Sequence, residues 1–568
     1  MVKTAWGVKR TECKKVAVIG GGNMGGGIAA QFANAGVAVE LLDVPGAGPS
    51  RNEPAQLGLQ RQKSANAFMV ESAVEQVRTG NTEDHLDRVA EADWIVEAII
   101  EDLSLKQSLY ARIEPLLKPG AIISSNTSTI PRSKLIEGRG NAFQDSFIIS
   151  HFFNPPRRME LLELVGSGVR QTYQAAADIA RVALGKTIVE CRDTPGFIAN
   201  RIGCTWMSVA VTEAVRLGIS VEEADAIHVA LGLPRTGVFG LLDLVGIDVI
   251  PYIWGSLMTN LPEDDLINAY DLPGLGIISV LIGKGCLGRK TGAGFYRRTT
   301  NGKREVLDLR DAEYRAHSGF AVGNLPGCGK DLDALLSDDG VHGEYARAVL
   351  GNVAAYAIAH ANEIAPGFDE IDLAMQLGYA WHQGPIALVN RLAPQTRGML
   401  AKTYQGSGDL VAAPANVAVA SADRVARAKA QGAPLASNDS AALLDIGDGL
   451  VCLDIRTKMH AIDGRVLDIL REGLNALAGS ARGMLVGDPN ARIFSAGANL
   501  SEMAALIEAQ NWAAIEEFVQ RGQDLFLALS LSQQPSVAAI PGLALGDVFC
   551  LDDGVHFSRP CRGAAGPP

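Results

Sequence analysis

The sequence predicts a doubly wound α/β domain, followed by an all-α region and then by a second, partial α/β region. Three observations indicate this order. Short β-branched runs alternate with helical patterns up to residue 192, as in parallel sheets with helical crossovers. From Asp193 onward the periodicity is helical, and new strand signals such as GLVCLDI appear at 449–455.

The composition is typical of packed globular domains. The chain has 568 residues, of which 47% are hydrophobic and 20% charged, so an intrinsically disordered chain is excluded. About three to five domains fit that length. The formal net charge of −12 gives no electrostatic reason to expect nucleic acid as a partner, because phosphate backbones recruit clustered Lys and Arg.

Cysteine usage and the start of the chain favour the cytoplasm. The eight cysteines are widely spaced, without a CxxC pair, which predicts free thiols in a reducing compartment and no bound metal. No run of about eighteen apolar residues occurs, so we expect no membrane association. The basic start MVKTAWGVKRTECKK lacks the apolar core of a secretory signal, and the alternative, a mitochondrial import sequence, would be longer and amphipathic.

Five apolar runs in the first segment predict buried strands of a parallel sheet. Runs of this length suit strands that are covered on both faces, and the helical patterns between them supply the crossovers. The runs are KKVAVIG (14–20), VAVELLD (37–43), WIVEAII (94–100), AIISS (121–125) and FIISHFF (147–153).

A glycine-rich turn follows the first strand and opens a helix. Gly20, Gly22 and Gly25 form a G-x-G-x-x-G pattern, which allows a tight turn, close approach of a pyrophosphate and close packing of helix on strand. Asp43 ends the next strand, where a carboxylate accepts from a ribose 2′-hydroxyl and repels a 2′-phosphate. These residues, with Met24 in the same turn, predict an NAD site in a Rossmann-like domain. The alternative is a glycine turn with a solvated aspartate.

Polar side chains follow two neighbouring strands, at the edge where open parallel sheets bind ligands. His151 belongs to the second of these segments and Glu163 lies twelve residues later, so the two can pair if the chain doubles back. Such a pair orients one ring nitrogen and makes the other a general base, whereas a lone histidine is more often structural. Asn200, after the Pro-Gly turn of DTPGFIANR (193–201), either faces the cleft or caps a helix.

The helical region contains an internal echo. The segment 212–246 resembles 361–393, with Gly232 matching Gly378, and two copies of one helical unit are the simplest explanation. The predicted boundaries are 14–192 for the nucleotide-binding domain, 193–300 and 336–395 for the two helical units, 396–440 for a linker rich in Ala, Gly, Pro and Ser, and 441–568 for the last region.

Together these motifs resemble the L-3-hydroxyacyl-CoA dehydrogenase family over residues 14–395. The likeness rests on VAVIGGGNMGGGIA, VEAIIEDLSLK (96–106), SNTS, HFFNPP, DTPGFIANR, GVFGLLDLVGID (237–248) and GRKTGAGFY (288–296), in that order. The family's fold is a Rossmann-like domain followed by helical domains that dimerise or pack as tandem copies. The resemblance therefore implies an NAD-dependent dehydrogenase with an acyl-CoA substrate, and it leaves a homodimer open.

The resemblance also implies roles for individual residues. His151 is implied to be the general base for the 3-hydroxyl proton, and Glu163 to hold and polarise it. Oxidation of a secondary alcohol needs such a base together with a hydride acceptor. The other implied positions are Ser128 and Asn200 beside the substrate oxygens, Asn126 near the nicotinamide, and Glu101 and Lys106 along the cofactor and CoA side of the cleft.

The last region resembles the enoyl-CoA hydratase/isomerase (crotonase) family in the motifs at 448–470, 491–503 and 535–546. By this resemblance the backbone N–H of Ala498 supplies half of an oxyanion hole and position 547 the other half. Asp547 stands there, and its carboxylate repels a developing oxyanion. Neither catalytic glutamate of the hydratases is identifiable, so we expect a truncated and inactive hydratase part.

The predicted function is NAD-dependent oxidation of (S)-3-hydroxyacyl-CoA to 3-oxoacyl-CoA in fatty acid β-oxidation. Three alternatives stay open at this point. They are a bifunctional enoyl-CoA hydratase and dehydrogenase, a non-catalytic nucleotide-binding protein, and a dehydrogenase of small hydroxy acids.

Overall fold

The chain divides into two compact units. Thr11–Ala413 forms the larger unit, and Pro414–Pro568 together with Met1–Arg10 forms the smaller one. The computed structural model describes residues 2–3, 9–10, 13–166, 168–403, 425, 428–430, 433–488, 491, 493–532, 534–538 and 543–544. Asp547, the proposed break in the oxyanion hole, lies outside the described residues.

An eight-stranded sheet forms the first half of the larger unit. Its strands are β1 Lys15–Ile19, β2 Ala38–Asp43, β3 Val77–Asn81, β4 Trp94–Glu97, β5 Ile122–Ser125, β6 Phe147–Phe152, β7 Leu161–Val165 and β8 Thr187–Cys191. Their spatial order is β3-β2-β1-β4-β5-β6-β7-β8. The strands from β3 to β6 are parallel, β7 is antiparallel to β6, and β8 is parallel to β7. The order reverses direction at β1, which confirms the predicted doubly wound, Rossmann-like domain.

Both faces of this sheet are covered. Along β1, Ala17 and Ile19 enter one apolar cluster, whereas Val16 and Val18 enter another. This alternation explains the continuous apolar run in the sequence, since a strand buried on both faces needs apolar residues at every position. The helices of this half are α1 Asn23–Asn34, α2 Glu53–Ser64, α3 Glu71–Val74, α4 Leu103–Ile113, α5 Arg132–Leu135, α6 Asn141–Ser146 and α7 Arg170–Leu184.

The five predicted strands are present, and β3, β7 and β8 are additional. Each additional strand contains polar residues that interrupt the apolar run, as in VRTGN for β3 and TIVEC for β8. Strand β7 carries the fully buried Glu163 within LLELV. A pattern of apolar runs does not detect strands whose polar side chains find partners inside the fold.

The second half of the larger unit is mainly helical, as predicted. Its helices are α8 Ala199–Leu217, α9 Val221–Ala230, α10 Gly237–Val245, α11 Ile250–Asn260, α12 Leu266–Ala269, α13 Gly276–Gly283, α14 Leu332–Leu336, α15 Val341–Ile364, α16 Phe368–Tyr379, α17 Pro385–Asn390 and α18 Pro394–Thr403. A three-stranded antiparallel sheet separates the two helical stretches, with β9 Tyr296–Arg298, β10 Arg304–Leu307 and β11 Tyr314–Ala316.

One helix of this region lies where the sequence predicts a linker. Helix α18 occupies the start of the predicted linker 396–440, where Leu400 is fully buried and the Thr396 hydroxyl donates to Asp333. The next residues of the predicted linker, 404–424, lie outside the described residues, so the linker stays a prediction. No single described helix is long and apolar enough to cross a membrane, although the bent pair Gly237–Val245 and Ile247–Asn260 passes together on length and composition.

The internal echo corresponds to two stretches with the same order of three helices, α8-α9-α10 and α15-α16-α17. In each stretch an aspartate of the second helix accepts hydrogen bonds from the first turn of the third. The bonds are Asp225 with the N–H groups of Phe239 (2.9 Å) and Gly240 (3.2 Å), and Asp372 with those of Ile386 (2.9 Å) and Ala387 (2.8 Å). Burial raises the pKa of Asp225 to about 7 and that of Asp372 to about 6, against the opposing effect of these donors.

The described part of the smaller unit is a small α/β structure. Its elements are β12 Ala436–Ser437, β13 Ala441–Gly447, β14 Leu450–Ile455, α19 Gly464–Ala478, β15 Gly483–Val486, β16 Ile493–Ser495, α20 Leu500–Glu508, α21 Trp512–Ser530, β17 Ser536–Ala538 and β18 Leu543–Ala544. The main sheet has the order β12-β13-β14-β15-β17, antiparallel up to β14 and parallel beyond it. Its core joins Leu443, Leu467, Met484 and Leu525, and the unit is consistent with a partial α/β domain.

Candidate active site

The glycine turn lies between β1 and α1. Gly20 has φ +107°, and a Cβ at that position would lie 2.4 Å from the carbonyl oxygen of Ala98. A Cβ on Gly25 would lie 1.8 Å from the carbonyl oxygen of Gly20, so α1 packs directly on the turn. A Cβ on Gly22, in contrast, meets no described atom within 4 Å. Gly22 precedes the first residue of α1, so it combines open space with the N–H groups of a helix N-terminus, and this arrangement fits the pyrophosphate of NAD.

Asp43 lies beside this turn at the end of β2. Its Oδ2 accepts from the N–H of Gly21 (2.8 Å) and its Oδ1 from the N–H of Val44 (2.7 Å). The carboxylate is therefore fixed at the position where Rossmann domains bind the ribose hydroxyls. Met24 is half-buried in the first turn of α1, where it packs against the apolar cluster under the sheet.

His151 and Glu163 face each other across the antiparallel pair β6 and β7. They are direct register partners, and His151 Nδ1 lies 2.7 Å from Glu163 Oε2. Only 6% of His151 is exposed and none of Glu163. The chain therefore doubles back as the pairing required, and the two side chains form a buried hydrogen-bonded pair. With Nδ1 bound to a carboxylate, the remaining ring nitrogen Nε2 is the acceptor of a neutral imidazole.

The other oxygen of Glu163 binds the start of the helical region. Glu163 Oε1 accepts from the N–H groups of Ile198 (3.1 Å) and Ala199 (2.7 Å), at the N-terminus of α8. A tight turn delivers these groups, because Gly196 has φ +76° and Phe197 has φ +49°. A positive φ is uncommon for a residue with a Cβ, so this turn is held in place by its surroundings. The Phe197 ring lies 5.7 Å from the His151 ring, centroid to centroid.

Asn126 and the loop that follows β5 lie at the same sheet edge. Asn126 Oδ1 accepts from the N–H of Phe152 (2.9 Å), the residue after His151. The next residues bind Glu101, whose Oε1 accepts from the N–H of Ser128 (3.1 Å) and from the hydroxyl of Thr129 (3.1 Å). Burial raises the pKa of Glu101, but Lys106, the Thr127 hydroxyl and the Ser128 N–H outweigh burial, so its pKa lies below the ordinary value.

Lys106 does not line an open cleft as a free cation. Its side chain is 1% exposed, and its Nζ lies 2.7 Å from Glu97 Oε1 and 3.3 Å from Glu101 Oε2. Glu97 is fully buried at the end of β4, where it also accepts from the hydroxyls of Tyr110 (2.6 Å) and Ser125 (2.6 Å). Of the two predicted residues Glu101 and Lys106, Glu101 is the partly exposed one, and Lys106 lies behind it.

Asn200 is the second residue of α8 and does not cap that helix, because Ile198 occupies the N-cap position. Its Oδ1 accepts from the hydroxyl of Tyr379 (3.2 Å), which lies at the end of α16. Asn200 is adjacent to Ala199, whose N–H binds Glu163. The amide is therefore attached to the same helix turn that holds the His151–Glu163 pair.

Hydrogen bonds join most of the predicted residues at one edge of the sheet. His151, Glu163 and Asn200 form one group through the start of α8, and Glu101, Ser128 and Lys106 form another. Asn126 binds a neighbour of each group: its Oδ1 accepts from the N–H of Phe152, and its own N–H donates to the carbonyl of Glu97 (2.8 Å). Gly20, Gly22, Gly25, Met24 and Asp43 form the dinucleotide loop at the ends of β1 and β2.

Sequence reasoning missed three residues of this site. Glu97 is the first carboxylate of the VEAIIE run, and an acidic residue within this apolar run could have indicated a site residue. Phe197 was signalled by the Pro-Gly pair before it. Tyr379 carried no local signal, because its contact with Asn200 spans 179 residues.

In the smaller unit, Ala498 forms an isolated parallel bridge with Ile462, and Asn499 begins α20 as its N-cap. The predicted backbone donor is therefore placed before a helix. Among the residues that the structure describes, no group of three or more His, Cys, Asp or Glu side chains is arranged to hold a metal ion.

Comparison with known proteins gives the class of this fold and site. The family model described as 3-hydroxyacyl-CoA dehydrogenase, NAD binding domain, matches residues 15–194, and the model for the 3-hydroxyacyl-CoA dehydrogenase C-terminal domain matches residues 196–298. The larger unit thus contains an NAD-binding domain and a helical dehydrogenase domain.

Relatives match over nearly the whole chain. A protein of Rickettsia felis named "Putative fatty acid oxidation complex trifunctional enzyme" is 33% identical over 559 residues, which cover 94% of this chain and 76% of the relative. A protein of Bacillus subtilis named "Probable 3-hydroxyacyl-CoA dehydrogenase" is 28% identical over 94% of this chain and 74% of its own length. The crystal structure of 3-hydroxybutyryl-CoA dehydrogenase from Escherichia coli superposes with a TM-score of 0.49 and 23% identity, covering 69% of this chain and 94% of that one.

The fold and the glycine loop thus define an NAD-binding oxidoreductase. By these matches the chain belongs to the 3-hydroxyacyl-CoA dehydrogenase family, as its motifs predicted.

Proposed function

We propose that the larger unit oxidises (S)-3-hydroxyacyl-CoA to 3-oxoacyl-CoA with His151 as the general base, in fatty acid β-oxidation. The observation that carries this proposal is the buried pair of His151 and Glu163, with 2.7 Å between Nδ1 and Oε2. A protein that only binds nucleotide has no use for an imidazole whose second nitrogen is left as an acceptor at the same sheet edge as the dinucleotide loop. The geometry therefore favours catalysis over a binding role.

In this mechanism the 3-hydroxyl proton moves to Nε2 of His151 as the C3–H bond breaks. NAD, when bound at the Gly22 turn, supplies the hydride acceptor. The imidazolium that forms is stabilised by the carboxylate of Glu163, whose other oxygen accepts from two N–H groups at the start of α8. Asn200 and Ser128 would hold the substrate oxygens, and Asn126 would lie on the nicotinamide side of a bound cofactor.

The dinucleotide loop fits NAD rather than NADP. Asp43 presents a carboxylate beside the turn, and a 2′-phosphate at that position meets like charge. Glu101 lies on the same side of the site, backed by Lys106, and its pKa below the ordinary value keeps it ionised at neutral pH.

The decisive experiment is oxidation of NADH by the purified full chain with acetoacetyl-CoA, followed by absorbance. We expect turnover in the wild type and a loss of about 100-fold in His151→Gln, the usual scale for a general base, with NADH affinity unchanged. His342→Gln is the matched control, because His342 also pairs with a glutamate (3.1 Å to Glu223) outside this site. An inactive wild type, or full turnover in His151→Gln, contradicts the proposal.

Substrate comparison separates the remaining dehydrogenase alternative. We expect the CoA ester of 3-hydroxybutyrate to be oxidised and free 3-hydroxybutyrate to be inert. Equal rates with both would favour a dehydrogenase of small hydroxy acids.

We also propose that the smaller unit is crotonase-like and does not hydrate enoyl-CoA. Its support is the strand and helix order around Ala498, together with the acidic Asp547 at the second donor position of the sequence. A carboxylate there opposes the negative charge of a thioester enolate. Robust hydration of crotonyl-CoA by the purified chain would overturn this proposal and favour the bifunctional alternative.

The compartment, the binding partners and the oligomeric state of the protein are also proposals. We propose a cytoplasmic enzyme that binds neither nucleic acid nor membrane, and that associates as a homodimer. Exposed apolar side chains on α10 and α11, Leu244 at 54% and Tyr252 at 79%, support the self-association. Sedimentation of a species with the monomer mass at micromolar concentration would contradict the dimer.

A further inference from the structure

The second helical stretch packs directly behind the His151–Glu163 pair. A Cβ on Gly378, in α16, would lie 2.9 Å from the side chain of Leu161 and 3.4 Å from that of Ala199. Leu161 belongs to the strand that carries Glu163, and Ala199 supplies an N–H to its carboxylate. Because Gly378 has no side chain, the end of α16 packs against both the strand that carries Glu163 and the start of α8.

Tyr379 follows Gly378 and lies on one face of α8. A Cβ on Gly203 would lie 2.3 Å from the Tyr379 ring, so the ring fills the space that this glycine leaves. Trp206, three residues further along α8, meets the same ring edge-to-face at 6.1 Å. Asn200, Gly203 and Trp206 are spaced by three residues and share one face of α8, and Tyr379 packs against this face.

The hydroxyl of Tyr379 donates a hydrogen bond to Asn200 Oδ1 (3.2 Å). Burial raises the pKa of Tyr379 well above its ordinary value, so the hydroxyl keeps its proton in the working pH range. Because Oδ1 of Asn200 already accepts this hydrogen bond, the Nδ2 donors of the amide remain available to other groups. The oxygens of a 3-oxoacyl thioester are acceptors, so only this amide orientation is productive toward them.

The matching position in the first helical stretch lacks this group. The hydrogen bonds of Asp225 and Asp372 match residues 239 and 240 with 386 and 387, and at this spacing Gly232 matches Tyr379 rather than the predicted Gly378. Gly232 has no side chain, so the hydroxyl is not a requirement of the repeated fold.

We propose that Tyr379, supplied by the second helical stretch, is a positioning residue that sets the amide of Asn200 for the substrate. The inference rests on the proposed dehydrogenase function and extends it to a residue that lies outside both matched family domains. It also gives the second stretch a part in the reaction in addition to packing.

The test compares Tyr379→Phe with Tyr345→Phe in the acetoacetyl-CoA assay of the full chain. Tyr345 is the matched control, since its hydroxyl also makes one buried hydrogen bond, to the carbonyl of Ala210 (3.0 Å), away from Asn200. We expect Tyr379→Phe to lower kcat/KM for acetoacetyl-CoA about fivefold to tenfold, the loss of one neutral hydrogen bond, with the Kd for NADH unchanged. Tyr345→Phe should leave both values at the wild-type level, and melting temperatures report any common effect on folding.

A double-mutant cycle with Asn200→Ala tests the route of the effect. In the Asn200→Ala background, we expect Tyr379→Phe to cause no further loss. Wild-type kinetics in Tyr379→Phe, or an equal loss in both backgrounds, overturns the positioning role while leaving the dehydrogenase function in place. An inactive wild type overturns the proposed function and this inference with it.

Discussion

Asp43 combines two interactions that a single substitution to alanine removes together. Its Oδ2 holds the N–H of Gly21, and its charge faces the place of the ribose hydroxyls. An asparagine retains an acceptor for Gly21 but carries no charge. The two substitutions therefore separate the shape of the turn from its electrostatics.

We expect Asp43→Asn to retain NADH binding within about tenfold and to lose discrimination against NADPH. Asp43→Ala should weaken the binding of both cofactors further, because the turn loses its anchor. Kd values for NADH and NADPH from protein fluorescence quenching check this. Unchanged discrimination in Asp43→Asn would show that the selectivity has another source.

His151 and Glu163 show what residue-level reasoning could and could not reach. The residue types and their spacing indicated a pair, because a general base needs an orienting partner. The direct antiparallel register of β6 and β7 was not predictable, since Glu163 lies in a strand that the apolar pattern did not detect. The second set of bonds from Glu163, to α8, depends on an unusual backbone at Phe197.

At the level of elements, the first turn of α1 separates binding from packing. Gly22 and Gly25 lie three residues apart in one motif, yet their surroundings are opposite. A Cβ at position 22 meets open space, whereas a Cβ at position 25 meets a backbone oxygen at 1.8 Å. The motif therefore contains one glycine that the cofactor needs and one that the fold needs.

We expect Gly22→Ala to fold with an unchanged melting temperature and to bind NADH at least tenfold more weakly. Gly25→Ala should lower the melting temperature, because the backbone of the turn must move to admit the methyl group. Calorimetry and fluorescence titration check the pair. A destabilised Gly22→Ala variant would show that this glycine also serves the fold.

The sequence predicted elements best where burial is uniform. Strands β1, β2, β4, β5 and β6 were visible as apolar runs, because both of their faces are covered. The three-stranded sheet β9–β11 was not predicted. Its strands are three or four residues long and rich in arginine, so they carry little apolar signal.

Over the whole molecule, buried carboxyls give stability a defined pH dependence. Burial raises the pKa of Asp225 to about 7 and the pKa values of Asp243 and Asp372 to about 6. Between about pH 4 and pH 7 the folded chain therefore holds protons that the unfolded chain has released. These three carboxyls make the free energy of unfolding fall as pH rises through this window, whereas the buried His228, whose pKa burial lowers from 6.5 to about 4, opposes that fall below pH 6.5.

We expect Asp225→Asn to reduce this slope between pH 5 and pH 7 by about one bound proton. Asp308→Asn is the control, because the pKa of Asp308 is lowered to about 2 and the group does not titrate in that window. Urea unfolding at three pH values checks both variants. An unaltered slope in Asp225→Asn would show that other groups cause the dependence.

One carboxylate connects the two halves of the larger unit. Glu163 belongs to the sheet, but one of its oxygens accepts from two amides at the start of α8. If that helix withdraws, the carboxylate loses two of the three hydrogen bonds that join it to His151 and α8, and the imidazole beside it loses a fixed support. The nucleotide-binding half alone would thus retain its cofactor loop without a competent base, so chemistry is conditional on the docking of its helical neighbour.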